Sequence, residues 1–260
     1  MAENKRMAAC LDITRRMNPA DVETTQGDLI FLADDLTGQI LANVDLPLQL
    51  ETDTAVGRSF IISDYNRDGD SYRSPHSNKY FPPYAEGALP NAELRQLETE
   101  ANELMAKYVE LYYEKGGESS AYFWESSDGV AAAVLIKKEY NSKETGQKGT
   151  WNSIHIFKIT PFGTGKFNFT LTTTISLQLG IDILNLAGNL VRKAEKKGIK
   201  CQTGSDKVRM MGQMVEESEN KMRAHIETVY FGRLKGIVSD LRSVTELKNL
   251  PSNRMVIAPN

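Results

Sequence analysis

Between Ser120 and Arg192 the chain alternates five times between a strand-like run and a short turn. The runs are Ser120–Glu125, Val130–Lys138, Trp151–Thr160, Phe167–Gln178 and Ile183–Arg192, rich in β-branched and aromatic residues. Asp128 and Gly129 are a tight-hairpin signal, and the other links centre on Thr145–Gly149, Phe162–Gly165 and Gly180–Asp182. Links this short cannot hold the crossovers that parallel strands require, so the pattern predicts an antiparallel meander. From Asp206 to about Ser243, Val208, Met211, Val215, Met222, Ile226, Val229 and Leu234 then recur at helical spacing, continued by Ile237, Val238 and Leu241. The predicted class is α+β: a five-stranded antiparallel meander covered by one long C-terminal helix.

Such a unit has a physical problem. Its sheet has two edges, and an exposed edge is a template for pairing with another chain. The helix is also longer than about five strands can cover. A partner that continues the sheet and adds a second long helix resolves both, so the chain reads as half of an assembly.

Upstream, residues 1–57 read as short helices. Met7, Leu11 and Thr14 line one face before Asn18 and Pro19, a cap followed by proline at the first helical position. Gly27 and Asp28 punctuate, and Leu29, Leu32, Leu36 and Ile40 resume an apolar stripe. Residues 58–117 hold a short strand at Phe60–Ile62, an irregular stretch from Asn66 to Pro90, and a helix. Asn91 caps that helix, which should reach about Lys115 with Leu94, Leu97, Ala101, Leu104, Tyr108, Leu111 and Tyr112 on its apolar side, before Gly116 and Gly117 end it. The sheet then takes 118–203, the long helix 204–244 and a short tail 245–260.

At 260 residues and 40% hydrophobic composition the chain can bury about 70–75% of its unfolded surface, so it needs no disulfide or metal to fold. Its two cysteines, Cys10 and Cys201, make no framework and fit a reducing cytosol. The N-terminus shows no signal-peptide core, and the longest apolar run, Val130–Ile136, is too short to span a bilayer. A net charge of −3 argues against nucleic acid as the main partner. The local exception is the basic cluster Arg192, Lys193, Lys196, Lys197 and Lys200: a solvated strand end and turn, or a docking patch for an acidic protein surface or phosphoinositide headgroups.

Motifs for catalysis fail on inspection. Gly163–Lys166 resembles the end of a phosphate loop, but Thr160 stands where glycine is due and Phe167 where Ser or Thr is required, leaving a hairpin turn. His76, His155 and His225 lack metal-ligand spacing, and His155 is expected to be structural. Glu216, Glu217 and Glu219 suit the solvated face of a helix. No enzyme, cofactor or metal is expected. DYNRDGDSYRSP (Asp64–Pro75) imitates a calcium loop through Asp64, Asn66, Asp68 and Gly69. Its closing position is Pro75 instead of a bidentate Glu, so a rigid surface turn is expected and a calcium-binding signalling module is the disfavoured alternative.

That stretch, extended through His76–Tyr80, resembles the signature of the beta subunit of the F-actin capping protein, which usually has Trp where this chain has His76. The resemblance includes Leu11–Arg16, Asp45–Leu48, Ala92–Ala101, Val134–Lys138, Trp151–His155, Asn185–Gly188, Tyr230–Gly232 and Gly236–Val244. It implies an obligate heterodimer with an alpha subunit, in which N-terminal helices form a stalk and both chains build one sheet under two antiparallel helices. It implies capping of fast-growing (barbed) actin filament ends in the cytoplasm without calcium. Capping of an actin-related filament in the dynein activator complex is an alternative. By the same resemblance Arg16 and Tyr80, with Asp45 and Asp64, are expected to bind regulators carrying a capping-protein-interaction motif. An actin-binding C-terminal tentacle is implied as well. Here only Val244, Leu247 and Leu250 offer an apolar stripe before Pro251, so the tail reads as a shortened tentacle.

Overall fold

The hairpins predicted from turn chemistry form as expected. In the computed structural model, β6 (Gly117–Ser126) and β7 (Gly129–Asn141) face each other with Ser126 opposite Gly129, which leaves Ser127 and Asp128 as the link. Gly163 and Gly165, both at positive φ, turn the chain from β8 (Lys148–Pro161) into β9 (Lys166–Ile181), so the phosphate-loop look-alike is indeed a hairpin. With β10 (Leu184–Lys200) the strands lie in the order β10-β9-β8-β7-β6, every neighbour antiparallel. The structure describes residues 27–28, 31–32, 48–113, 116–141, 148–181, 184–226 and 228. Met7, Leu11 and Thr14, the stripe positions Leu29, Leu36 and Ile40, Arg16, Asp45, the expected helix beyond Ile226 and the tail with Val244, Leu247 and Leu250 lie outside these residues. Gly27 and Asp28 are themselves helical.

β6 to β9 each run one to three residues past both expected ends, and β10 and the helix after Asn91 depart from their bounds as well. β10 runs on to Lys200, where the pattern predicts an end at Arg192, so the basic cluster lies within a strand. Helix α1 (Ala92–Tyr112) stops before Lys115, and Gly117 already belongs to β6. The Asn91 side chain accepts from Leu94 N at 2.9 Å and closes the first turn of α1. At the start of α2 (Gly204–Ile226), Asp206 accepts from Thr203 N while Asp206 N donates to Thr203 Oγ1, a reciprocal cap.

The main core lies on one face of the sheet. Phe123, Val134, Ile136, Phe157, Phe169 and Leu171 point from successive strands toward Leu94, Leu97, Ala101, Met105 and Tyr108 of α1 and Val208, Met211, Met214 and Val215 of α2. Phe157 and Phe169 are fully buried, each contributing about 1.5–3 kcal/mol of transfer energy. The apolar stripe of α1 is rotated from the expected one. Met105 and Val109 are buried while Leu111 is 78% exposed, and two polar residues, Glu98 and Asn102, lie on the buried side.

On the opposite face a smaller cluster of Leu48, Ile61, Tyr122, Ala133 and Leu135 seats the hairpin of β1 (Gln49–Asp53) and β2 (Arg58–Ile62). Sheet side chains hold both polar groups of the Leu48 backbone: its N donates to Asn152 Oδ1 at 3.1 Å, and its O accepts from Lys137 Nζ at 2.5 Å. Between Asn66 and Pro90 the chain is less irregular than expected. β3 (Arg67–Asp68), β4 (Ser71–Arg73) and β5 (Tyr80–Phe81) form a small antiparallel sheet.

Candidate functional site

The segment that imitates a calcium loop is built around side chains already committed to the fold. Ser63 caps a 3-10 turn over Asp64–Asn66. Asn66, 3% exposed, accepts from Ser63 N and donates from Nδ2 to Arg73 O at 2.9 Å. Asp68, also buried, accepts at one oxygen from Tyr80 Oη at 2.7 Å and from Ala88 N at 2.8 Å. Asp64 is open and pairs loosely with Arg67 at 3.5 Å. The expected surface turn is thus largely interior, with Asn66 and Asp68 serving as braces. Among the described residues no cluster of three metal-ligating side chains exists. Calorimetry with calcium should show no micromolar binding, and binding abolished by Asp64→Ala would overturn that expectation.

Tyr80 is 7% exposed, its hydroxyl shared between Asp68 and the carbonyl of Ala88, and its ring fills the space that a side chain at Gly87 would need. The ring therefore shapes the proline loop after it. Of the four residues assigned to regulator contacts, the structure places Asp64 on the surface and Tyr80 beneath it.

Beside this segment lies the polar centre of the molecule. Glu98 is fully buried and accepts two parallel hydrogen bonds from the Arg73 guanidinium, both at 2.7 Å, a third from Arg95 at 2.5 Å, and a fourth from Phe123 N at 3.1 Å. Arg73 also faces the Tyr122 ring at 5.7 Å. Burial disfavours the Arg73 charge, but its bonds to Glu98 outweigh this and raise its pKa above the ordinary value. Asn102 donates to Ala121 O and accepts from Ala121 N, both at 2.9 Å, pairing with the strand as another backbone would. Glu98 and Asn102 together occupy three backbone groups in the middle of β6, those of Ala121 and the N of Phe123, so α1 covers that stretch of the sheet edge. The signal for both was present as polar residues one turn apart inside an apolar stripe, but a stripe read by hydrophobicity alone passes over them.

The pair Asp53 and His76 makes this region sensitive to acid. Burial acts to raise the Asp53 carboxyl, but hydrogen bonds from Ser74, Ser77 and Ala55 outweigh it and hold the carboxyl below its ordinary value of 3.8. His76 donates through Nε2 to Ser59 O at 3.0 Å. Partial burial depresses it below 6.5, and Arg58 and Arg95 add to this against the attraction of Asp53 and the bond to Ser59. For a group depressed in the folded state, the stability it contributes is present above the unfolded pKa and lost as pH falls through the folded one. His76 therefore withdraws stability as pH drops below 6.5, and Asp53 only below 3.8. The melting temperature should fall between about pH 7.5 and 5.5, and His76→Gln should flatten that fall. Equal slopes for the two proteins would show that other groups carry it.

His155 is buried, with Nδ1 3.0 Å from Thr173 Oγ1, which in turn accepts from Ser218 Oγ: a structural chain, as expected. The acidic trio on α2 divides. Glu216 accepts from Tyr112 Oη and Glu217 from Lys196, whereas Glu219, expected on a solvated face, is fully buried and paired with Arg223 at 3.1 Å. The basic cluster divides too. The register puts Arg192 and Lys196 opposite Thr173 and Phe169 on the helix-covered face, and Lys193 opposite Thr172 on the other. Lys196 pairs with Glu217 at 2.8 Å and Lys197 with Glu195 at 3.3 Å. It is a strip along the β10 edge of the sheet, where the sequence suggested a strand end and turn.

Residues 7–238 match the family described as F-actin capping protein, beta subunit. The F-actin-capping protein subunit beta of Dictyostelium discoideum is 40% identical over 248 residues, 93% of this chain and 90% of that protein. The Drosophila melanogaster protein of the same name is 42% identical over 247 residues, 93% and 88% of the two chains. Among solved structures, the homodimeric actin capping protein alpha subunit from Plasmodium berghei superposes with a TM-score of 0.58 at 13% identity, over 91% of this chain and 94% of that one. This last likeness is one of fold.

Proposed function

This chain belongs to the family of F-actin capping protein beta subunits, and we propose that it acts as one half of a heterodimer that binds barbed ends of actin filaments and blocks subunit addition and loss. The family match over nearly the whole chain carries the reading. The alpha-type subunit is the partner, joined through the β10 edge, since α1 already occupies the middle of the β6 edge. The solved alpha-subunit structure has the same fold, so two such chains have matching strands and helices with which to complete one layer. Capping needs no bond chemistry and no calcium; it rests on affinity and slow release. The site of action is the cytoplasmic actin cytoskeleton.

Regulators that grip the stalk are assigned to Arg16, Asp45 and Asp64, with Tyr80 holding the adjacent loop in place. The test is seeded actin elongation with the chain co-expressed with an alpha-type subunit. Nanomolar complex should halt barbed-end growth equally with and without calcium. Undiminished growth at saturating complex would sink the reading, and growth blocked only on actin-related filaments would move the target to the second kind of filament.

A further inference from the structure

Along α1, Glu98 and Asn102 stand one turn apart and serve successive rungs of the β6 edge: Phe123 N, then the N and O of Ala121. Four helix residues rise about 6 Å and two strand residues about 6.6 Å, so the two repeats nearly match. The next turn therefore brings Ala106 to the next rung, Ser119. Residues two apart on a strand turn their N and O to the same side, so those of Ser119 face outward as those of Ala121 do. Alanine has no group to offer them, and no described residue bonds them. One rung further on, α1 packs close again: a Cβ on Gly117 would lie 2.6 Å from Val109 Cγ1. Ser119 is a single open rung.

Ala106 also lines a groove of about 600 Å³, within the size range of ligand clefts. Asn102 and Lys107 of α1 line it too, together with Val56 and Arg58 of the β1–β2 hairpin and with His76. Its charges are unevenly matched. Glu103 and Glu110 lie within one turn of Lys107 and balance it, and Arg95 is spent on Pro75 O, His76 O and Glu98. Arg58 is exposed and, beyond a through-space attraction to Glu118, is paired with no described residue. The groove thus offers a backbone donor, a backbone acceptor and one cation. It is larger than a lone amide needs, which suits a chain running through it.

We propose that this groove receives an extended peptide segment of another protein, one residue of which pairs its N–H and C=O with Ser119 while an acidic side chain reaches Arg58. This is strand addition confined to one rung: backbone bonds give affinity, and the charge at Arg58 gives selectivity.

Hydrogen exchange on the complex purified with an alpha-type subunit, read residue by residue, gives the first measurement. The Ser119 amide should exchange about ten-fold faster than those of Ala121 and Phe123. Ala106→Asn should slow Ser119 about ten-fold, because its carboxamide can repeat the pair that Asn102 makes with Ala121. Selection on the wild-type complex from a displayed library of short random peptides should then yield acidic binders that slow Ser119 exchange. Their affinity should fall about ten-fold with Ala106→Asn and about ten-fold with Arg58→Glu. Arg58→Glu alters only an exposed side chain, so it decides the matter where Ala106→Asn fails to fold. A Ser119 amide as slow as that of Ala121 before peptide is added means that the alpha-type subunit or this chain's own ends already fill the rung, and the proposal falls. It falls too if selection yields no binder, or if the binders ignore both substitutions. None of these readouts depends on filament capping, so failure here leaves the capping reading standing.

Discussion

Replacing Glu98 by Ala should cost the folded complex about 3–5 kcal/mol, read as a shift in chemical denaturation. The fully buried carboxylate serves three donor groups: the Arg73 fork, Arg95 and Phe123 N. Arg95 is 23% exposed at its side chain and can turn toward water, but Arg73 is at 5% and cannot. Its charge would remain buried with the side chain of Asn78, 2.8 Å away, as its neutral partner. Phe123 N would also lose its acceptor on the sheet edge. Removing both charges together through Arg73→Met and Glu98→Met should cost much less than Glu98→Ala, because the desolvation of the ions disappears with them. A single-substitution loss below about 1 kcal/mol would show that Arg73 can reach solvent or Asn78 at little cost.

Deleting Thr245–Asn260 should raise the rate of dissociation from filament ends about 5- to 150-fold, with a smaller change in association. Docking Leu247 and Leu250 would gain roughly 3–6 kcal/mol gross at about 1.5–3 per aliphatic side chain. Ordering a tail that Pro251 interrupts cancels part of this, leaving about 1–3 kcal/mol net. Dilution of pre-capped filaments, with full-length and shortened complexes side by side, measures the release rate. An unchanged rate would assign capping to the alpha subunit and the body of the heterodimer.

Both predictions concern residues that differ greatly in how readable they were. Leu247 and Leu250 stand out as apolar positions in a polar tail. Glu98 reads in the sequence as one acid among several on a helix, and only its place inside the apolar stripe sets it apart from Glu100 and Glu103. What separates them is that α1 presents Glu98 to Arg73, a residue 25 positions earlier, across an interface that exists only after the sheet has formed. The same distinction applies to the calcium-like loop. Its missing closing ligand was visible as Pro75, while the burial of Asn66 and Asp68 depended on Arg73, Tyr80 and Ala88 arriving from other strands and loops.

The sequence alone determined the meander, its hairpins, the capped helix after Asn91 and the family, because alternation, turn chemistry and caps act between residues close along the chain. It also placed the basic cluster beside the sheet. Only the tertiary structure decided that β10 extends through that cluster and divides it between two faces. Only the tertiary structure decided that the two sheet edges differ, with Asn102 and Glu98 bonding the middle of β6 from the helix and no described strand pairing with the outer side of β10. The physical reason is that backbone donors and acceptors at an edge can be satisfied by any group brought within about 3 Å. Which group arrives there is set by packing between elements far apart in the chain.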